Sequence, residues 1–258
     1  TGAPKPVDLL VLPESVAYTV ISLDGSRSEH IDEDFYRPLS EWERLYQQLL
    51  QNNERDLAII SGHETVQKSK VYNSMLFWTR NGLQGKYDKQ RLVPFAEYQP
   101  TILGLLGLSG SSFSAGESSQ ITEIHDIRIG ALVCQEVLMP AVTRASVIAG
   151  AQLLVSGGND GVFADPAAAR IHANIARVRA VETGRYMVRS MKSGISAIIA
   201  PSGEEIARSP SSAPIVITGQ VYASDYQTFY VKYGNWPVLL ALLLLAFGVY
   251  RGRKRTRA

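Results

Sequence analysis

The stretch that decides the fold runs Asp126-Ile-Arg-Ile-Gly-Ala-Leu-Val-Cys134-Gln135-Glu136. Residues 127–133 are mostly branched or small apolar residues, which predicts a buried β-strand. The strand ends at the only cysteine of the chain. Because α/β folds display reactive groups where buried strands end, Cys134 is a candidate nucleophile. The alternative is a small, inert core residue, which is what free cysteines usually are.

The composition excludes several classes of protein. An apolar content of 45% and a charged content of 19% are typical of a folded chain. A single cysteine allows no internal disulfide and no cysteine-based zinc site. The four histidines lack the i,i+4 spacing of metal ligands, so we expect them at the surface or in helix caps. The sequence therefore predicts no metal and no cofactor.

The charge distribution argues against nucleic-acid binding. Five of the 26 basic residues lie in the last eight positions, so the rest of the chain carries 21 basic against 24 acidic residues. A mildly acidic body offers no spread basic surface for a nucleic acid.

Buried strands and helices alternate along the chain. Apolar runs predict strands at 7–12, 57–60, 71–78, 127–133, 152–156, 186–190, 195–199 and 213–222, and helices are predicted from Ser40 and from Asp165. This alternation predicts an α/β fold with both sheet faces covered. In the second helix Asp165 is the expected N-cap and Gly184 the expected C-cap. The expected core face of that helix is formed by Ile171, Ile175, Val178 and Val181.

Charged residues in two other parts of the chain accompany Cys134 as candidates. Glu14 comes directly after the first strand, where a carboxylate is costly unless it is solvated, paired or used. Lys89 and Glu97 flank a short apolar segment. The structural alternatives are an acid that caps a loop and an ordinary surface lysine.

The C-terminal segment differs from the rest of the chain. Residues 233–250 carry no charge, Trp236 and Tyr250 lie near the two ends, and a basic run follows. This pattern predicts a transmembrane helix at 231–250 and a basic cytoplasmic tail at 251–258, which puts residues 1–230 outside the cytoplasm. A buried or re-entrant helix is the alternative. The apolar segment 101–113 is predicted to contact a membrane or an acyl chain, or else to form a short buried helix.

Three motifs occur in an order that resembles the Glu, Lys and Cys motifs of the nitrilase superfamily. They are Leu12-Pro-Glu14, Tyr87-Asp-Lys89 through Pro94-Phe-Ala-Glu97, and Val133-Cys134-Gln-Glu136. The middle motif is closest to the apolipoprotein N-acyltransferase family. Asn159-Asp160, Arg179-Ala-Val-Glu182 and Tyr233-Gly-Asn-Trp236 agree with the same family.

The resemblance implies a fold and an activity. The fold would be a nitrilase-like αββα sandwich at 1–230, followed by the one transmembrane helix. The activity would be transfer of an acyl group from a phospholipid to the N-terminal amine of an apolipoprotein's diacylglyceryl cysteine, at the periplasmic side of the bacterial inner membrane. Cys134 would be the nucleophile, Glu14 the general base and Lys89 the oxyanion-stabilising cation. Glu97 and Glu136 would occupy accessory acidic positions.

The sequence also departs from that family. Members carry several membrane helices and one further strand before the Leu-Pro-Glu strand, so we expect either a fragment or a reduced relative. Gln135 stands where tyrosine is usual, Ala96 where glycine is usual, and Gly161-Val162-Phe163 where an aromatic pair is usual. The competing interpretations are a nitrilase-type amidase acting on a small amide and an inactive truncated homologue.

Overall fold

The computed structural model describes residues 8–29, 31–53, 55–98, 113–163, 165–210 and 214–255. The strands in these residues are β1 (Asp8–Val11), β2 (Val20–Ser22), β3 (Tyr36–Pro38), β4 (Leu57–Gln67), β5 (Lys70–Thr79), β6 (Gly82–Asp88), β7 (Ile121–Ile124), β8 (Ile127–Val133), β9 (Leu153–Gly158), β10 (Met187–Met191), β11 (Ala197–Ile199) and β12 (Glu205–Arg208). The α-helices are α1 (Leu39–Gln51), α2 (Pro140–Ile148), α3 (Pro166–Thr183), α4 (Phe229–Tyr233) and α5 (Trp236–Arg255). Short 3-10 helices cover Glu33–Phe35, Cys134–Leu138 and Asp160–Val162.

The first sheet has the strand order β3-β2-β4-β5-β6, and β1 also pairs with β4. Both β1 and β2 run parallel to β4, with Leu9 opposite Ala58 and Ile21 opposite Thr65. Because β5 occupies the other edge of β4, β1 and β2 lie one after the other along the same edge. The regular strand pairing breaks between them, although Leu12, Pro13 and Val16 still hydrogen-bond to β4, and Glu14 lies in this break.

The second sheet has the order β12-β11-β10-β9-β8-β7. Its three central strands, β8, β9 and β10, run parallel to one another. Their carboxyl ends therefore meet at one edge of the sheet, which is where parallel sheets place functional groups. Cys134, Asn159 and Lys192 directly follow these three strands.

Three apolar clusters define four layers. The first joins the facing sides of the two sheets through residues such as Ile60, Phe77 and Val133. The second packs the outer face of the second sheet against α2 and α3. The third packs α1 on the outer face of the first sheet through Tyr46 and Leu50. This arrangement confirms the predicted αββα sandwich.

Two local predictions are wrong. The predicted core face of α3 is largely exposed at Ile171, Val178 and Val181, and the buried face is instead rich in alanine: Ala169, Ala173, Ala176 and Ala180. Small side chains let α3 approach its neighbours closely, so the alanine-rich face is the one that packs against the protein, although the larger apolar residues lie on another face.

The second wrong prediction is the strand at 213–222, because residues 214–222 form no strand in the structure. Their apolar residues Ile215, Val216 and Tyr222 are exposed, so apolar content alone did not produce a paired strand.

The C-terminal helix α5 carries many exposed apolar side chains, among them Leu242, Leu243, Leu244 and Leu245. Among the described residues, no helix combines the length and apolarity needed to cross a membrane. The transmembrane helix predicted at 231–250 therefore has no support in the structure. The apolar segment predicted at 101–113 lies outside the described residues except for Phe113, which packs beside Val20 and Val71.

Candidate functional site

Cys134 occupies a sharp turn at the end of β8. Its φ is 52°, in the left-handed region that residues other than glycine rarely adopt. The backbone of this turn packs tightly against the end of β9, because a Cβ at Gly158 would lie 3.1 Å from Cys134 Cα and 2.8 Å from Met191 Cε. Such a backbone conformation persists only when its surroundings enforce it, and it is concentrated at functional sites.

The Cys134 thiol is buried, at 8% exposure, and interacts electrostatically with both predicted charged partners. Burial is the largest cause that raises its pKa, to about 11, and the negative charge of Glu14 adds to the rise. The positive charge of Lys89 and a hydrogen bond from the backbone of Asn159 act in the opposite direction on the same pKa. Glu14 and Lys89, which belong to two other sequence motifs, are therefore near enough to Cys134 to influence the pKa of its thiol.

Glu14 lies in the break between β1 and β2 and is almost completely buried. The next residue, Ser15, is left-handed with a φ of 49°. Backbone packing is close here, since a Cβ at Gly62 would lie 2.6 Å from Glu14 Cα. The Glu14 carboxylate accepts a hydrogen bond of 2.5 Å at Oε1 from Nδ2 of Asn73 on β5. The carboxylate is thus held by its own sheet.

Lys89 follows β6 and is buried beside Glu97. The Lys89 Nζ donates to Glu97 Oε1 at 2.7 Å, and the backbone N–H of Val93 donates to Glu97 Oε2 at 2.8 Å. The Asn73 amide also donates to Glu97 Oε1, at 3.4 Å. Asn73 therefore connects the carboxylates of Glu14 and Glu97. The sequence analysis did not identify Asn73, although an amide within a largely buried strand is a usable signal.

Glu136 is fully buried, and each of its two carboxylate oxygens accepts two hydrogen bonds. Its Oε2 accepts from the Tyr87 hydroxyl at 2.9 Å and from the Val133 N–H at 2.9 Å. Its Oε1 accepts from the backbone N–H groups of Gln90 at 2.7 Å and Arg91 at 3.0 Å. Burial raises the pKa of Glu136, while these donors lower it. Glu136 thus fastens the segment that carries Lys89 to the turn that carries Cys134.

A second buried charge group lies just after β9 and centres on Asp160. Asp160 accepts hydrogen bonds from His172 Nδ1 at 2.8 Å and from Arg189 Nη2 at 2.9 Å. The negative charge of Asp160 contributes to the raised pKa of Cys134. The expected surface location is wrong for His172, and also for the buried His63. The sequence analysis gave Arg189 no role, because its partner lies 29 residues away.

Three exposed apolar residues lie close in sequence to residues of this site. Tyr18, Phe95 and Val162 are all exposed, and each is within four residues of Glu14, Glu97 or Asn159. Phe95 is also left-handed, with a φ of 67°. Within the residues that the structure describes, no group of three or more histidine, cysteine or acidic side chains is arranged to hold a metal.

Comparison with known proteins identifies the class. Residues 2–230 match the model of the carbon-nitrogen hydrolase family, and the chain belongs to that family. Two solved structures share the fold: a double mutant of an amidase from Nesterenkonia sp. in complex with acrylamide, and a carbon-nitrogen hydrolase from Helicobacter pylori. The first has a TM-score of 0.61 and 14% identity over 91% of this chain and 84% of that one. The second has a TM-score of 0.59 and 16% identity over 80% of this chain and 75% of that one.

Among curated proteins, the chain is similar to apolipoprotein N-acyltransferases. It is 29% identical to that of Azotobacter vinelandii over 98% of this chain and 48% of the relative. It is 33% identical to that of Wigglesworthia glossinidia brevipalpis over 70% of this chain and 39% of the relative. It is 31% identical to that of Pseudomonas putida over 78% of this chain and 41% of the relative. The chain thus spans less than half the length of these relatives.

Proposed function

We propose that this chain carries the catalytic site of an N-acyltransferase, which moves a fatty acyl group from a phospholipid to the N-terminal amine of an apolipoprotein. The proposal depends on one observation, the hydrogen-bond network in which Asn73 joins Glu14 to Glu97, Glu97 holds Lys89, and Glu136 joins the segment after Lys89 to the strand end at Cys134. The similarity to apolipoprotein N-acyltransferases supports the choice of donor and acceptor. The catalytic domain would comprise residues 1–230.

In the first half-reaction, Glu14 takes the thiol proton of Cys134. A thiol with a pKa of about 11 is protonated at neutral pH, so attack on an ester requires a base. The sulfur attacks the ester carbonyl of the phospholipid and forms a tetrahedral oxyanion. Lys89 supplies positive charge to that oxyanion. The C–O bond then breaks, the proton held by Glu14 passes to the leaving alkoxide, and a Cys134 thioester and a lysophospholipid result.

In the second half-reaction, the amine of the apolipoprotein attacks the thioester carbonyl. Glu14 accepts a proton from the attacking amine, and Lys89 again faces the developing oxyanion. The C–S bond breaks, and the thiolate recovers a proton from Glu14. A thioester is a good acyl donor to an amine, and two successive displacements on one nucleophile give ping-pong kinetics.

A phospholipid donor requires contact with a lipid surface. We propose that the exposed apolar residues Tyr18, Phe95 and Val162 face the lipid, together with the exposed apolar side chains of α5. Exposed apolar patches of this kind are typical of interaction sites. The segment 231–250 would anchor the protein in the bacterial inner membrane, with the catalytic domain in the periplasm and the basic residues 251–258 in the cytoplasm.

Hydrolysis of a small amide is the second candidate, because the chain belongs to the carbon-nitrogen hydrolase family and shares its fold with an amidase. The same three residues would serve, with water in place of the amine.

One paired assay separates the two functions. The protein is incubated with acyl-labelled phosphatidylethanolamine and a diacylglyceryl-cysteine peptide, and in parallel with short aliphatic amides. Transfer of label to the peptide that is lost in Cys134→Ser supports the acyltransferase. Ammonia release from the amides without transfer of label rules the acyltransferase out in favour of the amidase.

A further inference from the structure

The loop that follows β10, residues 192–195, is fixed to the strand end beside Cys134. The backbone N–H of Lys192 donates to the Gly158 carbonyl at 2.9 Å, and the N–H of Asp160 donates to the Ser193 carbonyl at 2.7 Å. At the base of the loop, Nε of Arg189 donates to the Ile195 carbonyl at 3.2 Å. These hydrogen bonds tie the loop to the segment that follows β9.

Close packing leaves this loop little freedom. A Cβ at Gly194, where φ is 124°, would lie 2.6 Å from Oδ2 of Asp160. A Cβ at Gly161 would lie 2.8 Å from Cβ of Ser193. Since Asp160 is held by Arg189 and His172, the loop rests on a buried, hydrogen-bonded charge group.

One side chain of this rigid loop reaches the other sheet. The Lys192 Nζ donates to the Ser15 carbonyl at 3.0 Å and lies 4.3 Å from the centroid of the Tyr18 ring. Ser15 directly follows Glu14 and is left-handed. Lys192 thus connects the second sheet, which carries Cys134, to the backbone segment of the first sheet that carries Glu14.

The backbone of Glu14 also contacts the second sheet, since a Cβ at Gly157 on β9 would lie 3.5 Å from the Glu14 nitrogen. Asn73 lies on β5, and the bond from the Val16 N–H to the Gly62 carbonyl joins neighbouring parts of the first sheet. The Asn73 and Val16 contacts lie within the first sheet, whereas the Gly157 contact and the Lys192 side chain join this segment to the second sheet. Proton transfer between Glu14 and the thiol depends on how the two sheets are placed relative to each other, and small misplacements reduce rates steeply.

We infer that Lys192 is a positioning residue for Glu14, which holds the general base at its working distance from the Cys134 sulfur through the Ser15 carbonyl. The inference rests on the proposed role of Glu14 and adds a residue that does not itself touch the reacting atoms. The Tyr18 ring adds a cation–π contact that keeps the lysine over the segment.

The test is a double-mutant cycle on the rate of Cys134 acylation, with acyl-labelled phosphatidylethanolamine in detergent micelles as the probe. Lys192→Met should lower the single-turnover rate about tenfold and leave the half-saturating lipid concentration unchanged. Lys192→Arg, which keeps a cationic donor, should recover most of the rate. In a Glu14→Gln background, Lys192→Met should have no further effect, because it acts through the missing base.

Lys192 is exposed, so these variants should fold. Lys192→Gln is a second uncharged substitution and should slow acylation as Lys192→Met does. Lys70→Met, at an exposed position of the β4–β5 hairpin, is the matched control and should acylate at the wild-type rate. A slow Glu14→Gln together with a wild-type rate in Lys192→Met would overturn the inference and leave the proposed function intact. An equal loss from Lys192→Met in both backgrounds would also overturn it. A wild-type rate in Glu14→Gln would instead refute the proposed base, and the inference with it.

Discussion

The ammonium group of Lys89 lies 2.7 Å from Oε1 of Glu97, and the Lys89 side chain is only 1% exposed. A buried cation of this kind needs a partner, because an unpaired charge in the interior is strongly destabilising. Glu97 therefore supplies the counter-charge of Lys89 and holds its side chain in place, and this accounts for an acidic residue eight positions after the lysine.

Glu97→Gln should reduce the free energy of unfolding by about 2 kcal/mol, since it removes the counter-charge of Lys89 but keeps an acceptor of similar shape. Urea denaturation followed by circular dichroism measures the change. Glu204→Gln, at an exposed position, is the control and should have little effect. Unfolding curves of Glu97→Gln that coincide with those of the wild type would contradict this account of Glu97.

The pKa of Cys134 should respond in opposite directions to its two charged neighbours. The wild-type pKa is about 11, compared with an ordinary value of 9.0. Glu14→Gln removes a negative charge and should lower this pKa, whereas Lys89→Met removes a positive charge and should raise it. Carbon-13-labelled cysteine gives one NMR signal, because the chain has one cysteine. A pKa that moves in the same direction in both variants would be inconsistent with the site geometry.

Glu136 should matter mainly for stability and for the placement of Lys89. Glu136→Ala leaves the Tyr87 hydroxyl and three backbone N–H groups without their acceptor, so we expect a loss of about 3 kcal/mol or more. Denaturant unfolding measures this loss, with Glu123→Ala on the exposed side of β7 as the control. If Glu136→Ala lost no more stability than Glu123→Ala, the fastening role of Glu136 would be wrong.

Some candidate site residues and both caps of α3 could be predicted from short stretches of sequence. Glu14 and Cys134 follow the apolar runs of β1 and β8, whereas Lys89 follows the polar strand β6 and is marked only by the resemblance of its motif. The caps of α3 were equally visible: the Asp165 side chain accepts from the Ala167 N–H, and Gly184 is left-handed with a φ of 64°. Local sequence determines these caps, and the structure confirms them, whereas the roles of Glu14, Lys89 and Cys134 stay predictions.

The residues that sequence reasoning missed depend on distant partners. Asn73 is 59 residues from Glu14, and Lys192 is 177 residues from Ser15. No local pattern distinguishes a lysine that crosses between two sheets from a lysine at the surface. The buried face of α3 was missed for a related reason, because close approach of a helix to its neighbours selects small residues over large apolar ones.

His63 should make the protein sensitive to acid. Its Nε2 lies 3.0 Å from the Tyr46 hydroxyl and 3.1 Å from Ser61 Oγ, and burial lowers its pKa from 6.5 to about 3. Between these two pH values the unfolded chain binds a proton that the folded protein excludes. The contribution of His63 to the free energy of unfolding should therefore be fully present above pH 6.5. It should be lost as the pH falls towards 3, which lowers the free energy of unfolding by up to about 5 kcal/mol.

The measurement for His63 is the unfolding free energy as a function of pH. His63→Gln should flatten the slope in this window, whereas His125→Gln, in the β7–β8 turn, should retain it. An unchanged slope in His63→Gln would show that His63 does not titrate as proposed.

Mass spectrometry of the acylated protein tests the central claim most directly. After incubation with phospholipid and no acceptor, the account predicts one added acyl group on the peptide that contains Cys134. Hydroxylamine should remove this group, and it should be absent from Cys134→Ser. An adduct that persists in Cys134→Ser, or a wild-type protein that never gains one while it cleaves small amides, would contradict the account.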